Sequence, residues 1–408
     1  MKHNLAIIIT EGHPFIDTGF IYPELKVLCT KFNKIEVYPL KWSGNESDFI
    51  FPDNVFVKSE LSDYMQRFTA NKFKIWGFIS PLFYKFLFKV PFREIIHLST
   101  RCGYVSLFAR WILLMKFKNS DTLYYTYWLT LPSVSLSFLK SQKKIRYFIS
   151  RAHGYDLYNE RGDILLNILK PYIFKNIDGV FCISQHGKDY LEIHYPSFKG
   201  KYFISRLGIE NEREMARESS NFFELLSCSY LVPVKRVDLL VESLSEFQVT
   251  YPDIKIRWTH IGGGPGYEKI KTLCQQKLKP ETYILKGNLE NKQILDLYAI
   301  QFFSCFINVS SSEGISVSIM EAQSAGIPVI ATAVGGTPEI VNDQNGLLLS
   351  QNPTPQEISA AIYQSVTRSI EWGEKRLISR KSWVSNYNSK LNYAKFSMII
   401  DTLLQENK

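Results

Sequence analysis

Two glutamates, Glu313 and Glu321, stand eight positions apart in the stretch SSSEGISVSIMEAQSAGIPVIATAVGG (310–336). The apolar run CFINV (305–309) before it reads as a buried strand, and small polar residues lead from it into Glu313, Gly314, Ile315 and Ser316. A helix-length segment follows, closed by Gly326, and PVIAT (328–332) reads as the next parallel strand. The unit is therefore βαβ, whose ligands sit beyond the carboxyl ends of the strands. A helix spanning the interval would carry Glu321 about two turns, roughly 12 Å, past Glu313 on nearly the same face, so that both carboxylates border one groove. Between them the free N–H groups and positive dipole end of the helix start make an anion site, and Gly314 lets a phosphate approach the backbone. An anion held at a helix end, flanked by carboxylates that accept sugar hydroxyls, is the chemistry of holding a nucleotide diphosphate sugar. The plainer alternative is that Glu313 caps the helix and Glu321 faces water.

Other residues offer matching chemistry. SYLVPVKRVDLL (229–240) places Lys235 and Arg236 together at a helix start, where a cation pair either holds phosphate or forms a solvated turn. The strand RYFIS (146–150) delivers Arg151, His153, Gly154 and Asp156 at its carboxyl end, the ligand rim of a parallel sheet. IGGGPGYEK (261–269), with Gly262 and Gly263, is a glycine turn between a strand and a helix; its GGGxG spacing departs from the GxGxxG of dinucleotide sites, so an oxidoreductase is the weaker reading. LKG (285–287) ends in Gly287, and Gly19 lies in the loop after the first apolar run, LAIIIT.

Glu313-GISVSIM-Glu321, followed by AxxxGxPVIAT and GGTPEIV, resembles the glutamate-seven-glutamate signature of retaining glycosyltransferase family 4. The resemblance implies a GT-B fold: two Rossmann-like parallel-sheet domains facing across a cleft, with a C-terminal helix crossing back to the first. It implies that His153, in an HG context, reaches the donor sugar or the transferring centre. Glu313 would hold the sugar hydroxyls and Glu321 the ribose. Lys235 matches the lysine of the family's diphosphate-binding segment. Tyr230 stands where the family has arginine and Arg236 where it often has glycine, so the two-cation clamp is incomplete. Gly19, Gly262, Gly263, Gly287, Gly314, Ile315 and Ser316 would line the donor path, and GGTPEI (335–340) would close it. Leaving-group charge would fall on Lys235 and the helix start after Glu313, with no metal or other cofactor. Reaction on one face of the sugar needs no carboxylate nucleophile.

These residues must be positioned by a regular scaffold, and the chain alternates strands and helices throughout, the pattern of α/β parallel sheets. Its 408 residues and 45% hydrophobic content suit two domains. The expected division is an acceptor-binding domain at 1–208, a donor-binding domain at 209–382 and a terminal helical segment at 383–408, with ENEREMARESSN (210–221) as linker. Six scattered cysteines without metal spacing fit a reducing cytoplasm. The first apolar run is too short for a signal peptide, and no run is long enough to span a bilayer.

Charge is concentrated. Between residues 66 and 120 ten basic residues face one acid, Glu94, accounting for the net +9. FKIWGFISPLFYKFLFKVPF (73–92) interleaves aromatics with lysines, which suits either an anionic membrane surface or a core helix pair with a solvated face. Nucleic-acid binding is disfavoured, since no accompanying motif is present. The expected partners are a nucleotide-sugar donor and a glycan or lipid-linked acceptor, met in the cytoplasm or at the inner membrane face. The alternatives are a nucleotide-sugar epimerase and a catalytically idle binding component of a glycan-assembly complex.

Overall fold

The computed structural model describes residues 3–9, 18–42, 51–68, 70–114, 121–217 and 220–406. The chain divides into two compact units, Met1–Leu207 with Lys390–Lys408, and Gly208–Ser389. Both are α/β, and all strand pairing in their sheets is parallel.

The first unit contains β1 (Asn4–Ile9), β2 (Ile35–Pro39), β3 (Val55–Val57), β4 (Thr122–Thr126), β5 (Tyr147–Ala152), β6 (Gly179–Cys182) and β7 (Tyr202–Ile204), in the spatial order β3-β2-β1-β4-β5-β6-β7. Its strands are apolar on both faces because helices cover both. Alternate residues serve different cores: Ala6, Ile8, Tyr124 and Phe148 pack with Leu98, Cys102, Val105 and Phe108 of the helix Ile95–Leu114. Leu5, Ile7, Tyr125 and Ile149 pack on the other face with Phe396, Ile400 and Leu404 of the helix Ser389–Glu406. Four-residue spacing puts those last three on one helical stripe.

The second unit contains β8 (Phe223–Cys228), β9 (Ile256–Ile261), β10 (Tyr283–Leu285), β11 (Cys305–Asn308), β12 (Val329–Thr332) and β13 (Gly346–Leu349), in the order β10-β9-β8-β11-β12-β13. Strand order reverses between β8 and β11, and ligands of such sheets bind outside the carboxyl ends at that point.

The boundary near the C-terminus falls between Ser389 and Lys390 rather than at Trp383, because Trp383 is buried within the second unit under the guanidinium of Arg380, on the helix Ser369–Asn386. β3, just before Glu60, pairs with β2. The aromatic stretch 73–92 breaks into the helices Ala70–Phe78 and Pro81–Phe86 and a 3₁₀ turn, Leu87–Lys89; Pro81 starts the second helix, where its missing N–H costs nothing. Among the described residues no helix is long and apolar enough to cross a membrane.

Candidate active site

In the second unit the loops after β8 and β11, on either side of the strand-order reversal, are joined through their backbones. The Ser311 amide donates to Val234 O at 2.8 Å. Arg236 adopts left-handed backbone (φ 48°, ψ 38°) and reaches back across the same gap. Its Nε donates to Val309 O at 2.6 Å, and one terminal nitrogen donates to Ser310 O and Gln351 O, each at 3.0 Å. Lys235 lies between these two attachments. Its Nζ consequently meets Glu313 Oε1 at 2.7 Å. Asn308, the last residue of β11, fixes the other side of the loop: its amide nitrogen donates to Ser316 Oγ at 3.2 Å and approaches Glu313 Oε1 at 3.4 Å, while its oxygen accepts from the Ser310 amide.

Gly335 closes this loop from above. At φ +53° a side chain would be strained, and a Cβ would lie 1.9 Å from Glu313 O. The neighbouring Gly336 amide donates to Gly314 O at 2.8 Å. Ile315 and Ser316 are buried, and Ser316 is the N-cap residue of the helix Val317–Ser324.

The helix therefore starts after Ser316, which corrects the expected geometry of the two glutamates. Glu313 is in the loop, so half of the interval to Glu321 is not helical and their shared helical face does not exist. Glu321 lies inside the helix, is buried, and belongs to a separate set of contacts. It accepts a hydrogen bond from Asn291 Nδ2, on the helix Asn291–Ile300. Burial pushes its carboxyl up to about 7, against the lowering effect of the Asn291 bond.

The glycine turn after β9 runs beside the segment after β8. The Leu231 amide donates to Gly263 O at 2.7 Å and the Gly262 amide to Gly287 O at 2.8 Å. The Gly263 amide donates to the Asn288 side chain at 2.7 Å. Gly262, Gly263 and Gly287 thus join three loops. Tyr230 is half exposed beside Gly264.

The first unit supplies a different rim. His153 follows β5, its amide donating to Asp156 Oδ1 at 2.8 Å. Asp156 is fully buried; its Oδ2 accepts from the Leu129 amide at 3.0 Å and lies 3.6 Å from His153 Nδ1. Burial alone would raise the Asp156 carboxyl, but the imidazole beside it and the two amides outweigh burial and hold it below its ordinary value. The imidazole is flanked by the rings of Tyr127 and Trp128, each with its centroid 5.4 Å away. With Nδ1 turned toward a carboxylate, Nε2 is the nitrogen left for proton exchange.

Arg151, grouped with this rim in sequence, is instead inside β5 and wholly buried. It donates to Tyr125 Oη, Ser205 O and Glu24 Oε2 at 2.7–3.1 Å, and sits 4.7 Å from the Phe396 ring centroid, linking the sheet to the C-terminal helix. Gly19 falls in the first turn of the helix Thr18–Leu28, and the loop before it lies outside the described residues. Sequence reasoning missed Asn308, Asn291 and Asn288. Asn308 carried a visible signal, a lone polar residue in an apolar strand, whereas the other two act through contacts distant in sequence. Among the described residues no three His, Cys, Asp or Glu side chains are grouped to hold a metal ion.

Residues 208–380 match the family described as glycosyl transferases group 1. The chain is 27% identical, over 217 residues covering 51% of it and 42% of the relative, to the GtfA component of the UDP-N-acetylglucosamine–peptide N-acetylglucosaminyltransferase of Streptococcus parasanguinis. It spans about half the length of the curated relatives it matches. Among solved structures, sucrose-phosphate synthase from Thermosynechococcus elongatus superposes with a TM-score of 0.73 at 15% identity, covering 99% of this chain and 100% of that one. Anabaena HepE, solved in complex with UDP, superposes with a TM-score of 0.69 at 13% identity, covering 98% and 100%. At these identities the structural likeness establishes the fold, which is GT-B.

Proposed function

We propose, from the match of residues 208–380 to glycosyl transferases group 1, that the chain is a retaining glycosyltransferase. In this reading it moves a sugar from a nucleotide diphosphate donor to a hydroxyl of a glycan or lipid-linked glycan, in cell-surface polysaccharide synthesis at the inner face of the membrane. The observation that supports it most is the Lys235–Glu313 pair at the strand-order reversal of the second sheet. An ammonium has three donors, so Lys235 can donate to a diphosphate while still bonded to Glu313, whose remaining oxygen then faces the sugar hydroxyls. The first helical amides after Ser316 add donors for the same anion. Cationic and backbone groups of this kind stabilise the leaving diphosphate without a metal. His153 takes a role at the donor sugar, and Glu321, ionised, accepts from the ribose hydroxyls.

The test is a thermal-shift panel of UDP-, GDP- and ADP-sugars, since a ligand of the native state raises its melting temperature by mass action. One of them is expected to stabilise the chain, and that donor should then support transfer with retained anomeric configuration, read by NMR, in excess chelator. No shift with any nucleotide sugar would overturn the reading, and loss of transfer in chelator would overturn its metal independence. The exposed Tyr230, in the place where the resembled family has arginine, favours a second reading as an idle binding component of a glycan-assembly complex. A thermal shift without turnover on any glycan acceptor would select it.

A further inference from the structure

The aromatic and basic stretch of the first unit has two faces with different fates. Leu82, Phe83 and Phe86 enter the core, and Ser99 Oγ donates to Lys74 O at 2.7 Å, tying the helix Ala70–Phe78 to the helix Ile95–Leu114. A buried helix pair accounts for these residues. It does not account for their neighbours: Ile75, Ile79 and Tyr84 are more than 60% exposed, Phe88 is 96% exposed and Phe92 91%. Phe78, half exposed, touches Phe83, which touches Tyr84, so the outward rings continue from one helix to the next.

Cations are interleaved with these rings. Lys85, Lys89 and Arg93 are exposed, and among the described residues neither Lys85 nor Lys89 has an ion-pair partner. Lys85 Nζ lies 4.1 Å from the centroid of Tyr172, and both lysines lie over Phe86. Burial, and then the charges of Lys175 and Lys89, lower the Lys85 ammonium from its ordinary value, so three like charges share one neighbourhood.

We propose that this face, carried by Tyr84, Phe88 and Phe92 with Lys85, Lys89 and Lys175, docks on an anionic phospholipid bilayer, the rings entering the headgroup boundary and the lysines taking lipid phosphates. The composition separates this occupant from a protein partner. Lysine is depleted where protein interfaces are buried, whereas aromatic rings beside lysines are what the headgroup layer accommodates. Lys85, Lys89 and Lys175, exposed and sharing one neighbourhood, supply the complementary charge. The inference rests on the proposed function only for the reason to be at a membrane; it is measured without turnover.

The experiment is co-sedimentation of the full chain with vesicles of phosphatidylcholine alone and of phosphatidylcholine mixed equally with phosphatidylglycerol. The chain is expected to pellet with the mixed vesicles and not with the neutral ones, and to be released by high salt. Lys85→Gln with Lys89→Gln should weaken partitioning roughly 25-fold, about fivefold for each charge. Phe88→Ser with Phe92→Ser should abolish pelleting while leaving the nucleotide-sugar thermal shift intact, which also certifies the fold. Equal pelleting with both vesicle types, wild-type binding by either double variant, or a dimer that the Phe variant dissolves would overturn the proposal. Vesicle binding without any nucleotide-sugar shift would instead sink the transferase reading and leave the docking face standing.

Discussion

The two sheet edges that carry candidate chemistry are built on opposite plans. Beyond β8 and β11 the functional side chains are charged and bonded to each other, Lys235 to Glu313, and their loops are placed by main-chain bonds such as Ser311 to Val234 and Gly336 to Gly314. Beyond β5 the imidazole of His153 sits among rings, and the buried carboxylate of Asp156 bonds its backbone amide and lies 3.6 Å from Nδ1. Backbone-placed charge suits holding an anion whose shape does not change. An imidazole held among rings with one nitrogen near a carboxylate suits handling a proton or a hydroxyl. The second unit should therefore act through donor binding as well as rate, the first chiefly through rate.

The largest effects test that division. Lys235→Ala is expected to lower kcat/KM for the nucleotide sugar by about 10²–10³, with a raised donor KM, because it removes a preorganised cation. His153→Ala should lower kcat by about 10²–10³ with donor KM nearly unchanged. Asp156→Asn keeps the shape but removes the charge 3.6 Å from His153 Nδ1, and should cost about 10–100-fold in kcat with donor KM nearly unchanged. Steady-state kinetics in both substrates decide. A donor KM that rises as much in Asp156→Asn as in Lys235→Ala would break the comparison.

The same division explains what could be read from sequence. The alternation of strands and helices and the run around Glu313 and Glu321 were legible because short-range order determines them: an apolar strand, a glycine loop, a helix and the next strand lie within one stretch. The register of that run was not. A helix beginning after Ser316 rather than at Glu313 is decided by Asn308 and Gly335, which act on the loop from a strand end and from beyond β12. Arg151 misled for a related reason: a charged residue near a strand end signals a rim unless its counter-charge is elsewhere, and Glu24 lies far away in sequence. Burial of Phe83 and exposure of Phe88 likewise could not be told apart by composition, since the break at Pro81 and the 3₁₀ turn reset the helical phase.

Glu321 sharpens the comparison at intermediate size, because it is a buried carboxyl on the charged side. With its folded value raised to about 7, the protonated form contributes stability that is complete below the ordinary carboxylate range and is lost as pH rises toward 7. Between pH 5 and pH 8 the wild-type melting temperature should therefore fall relative to that of Glu321→Gln, which carries no charge at either pH. Nucleotide-sugar affinity should move oppositely, strengthening severalfold from pH 6 to pH 8 as the carboxylate forms, and remaining flat in Glu321→Gln. Paired thermal-shift and calorimetric titrations measure both. Parallel pH profiles for the two proteins would remove Glu321 from the donor side.

The smallest effect concerns how firmly the backbone alone places Lys235. Arg236 holds a left-handed conformation that disfavours a side chain by about 1–2 kcal/mol. Glycine would relieve that strain but is more costly to order by roughly 0.5–1 kcal/mol, so the two backbone terms nearly cancel. What remains is the loss of the guanidinium bonds to Val309, Ser310 and Gln351, partly exposed and each worth about 0.5–1.5 kcal/mol. Alanine loses the same bonds and keeps the strain. The melting temperature should accordingly run wild type, then Arg236→Gly, then Arg236→Ala, over a span of several degrees. Because the bond from Ser311 to Val234 still joins the two loops, donor affinity in Arg236→Gly should stay within about threefold of wild type. A loss as large as that of Lys235→Ala would mean that the guanidinium, rather than the paired backbones, sets the position of the lysine.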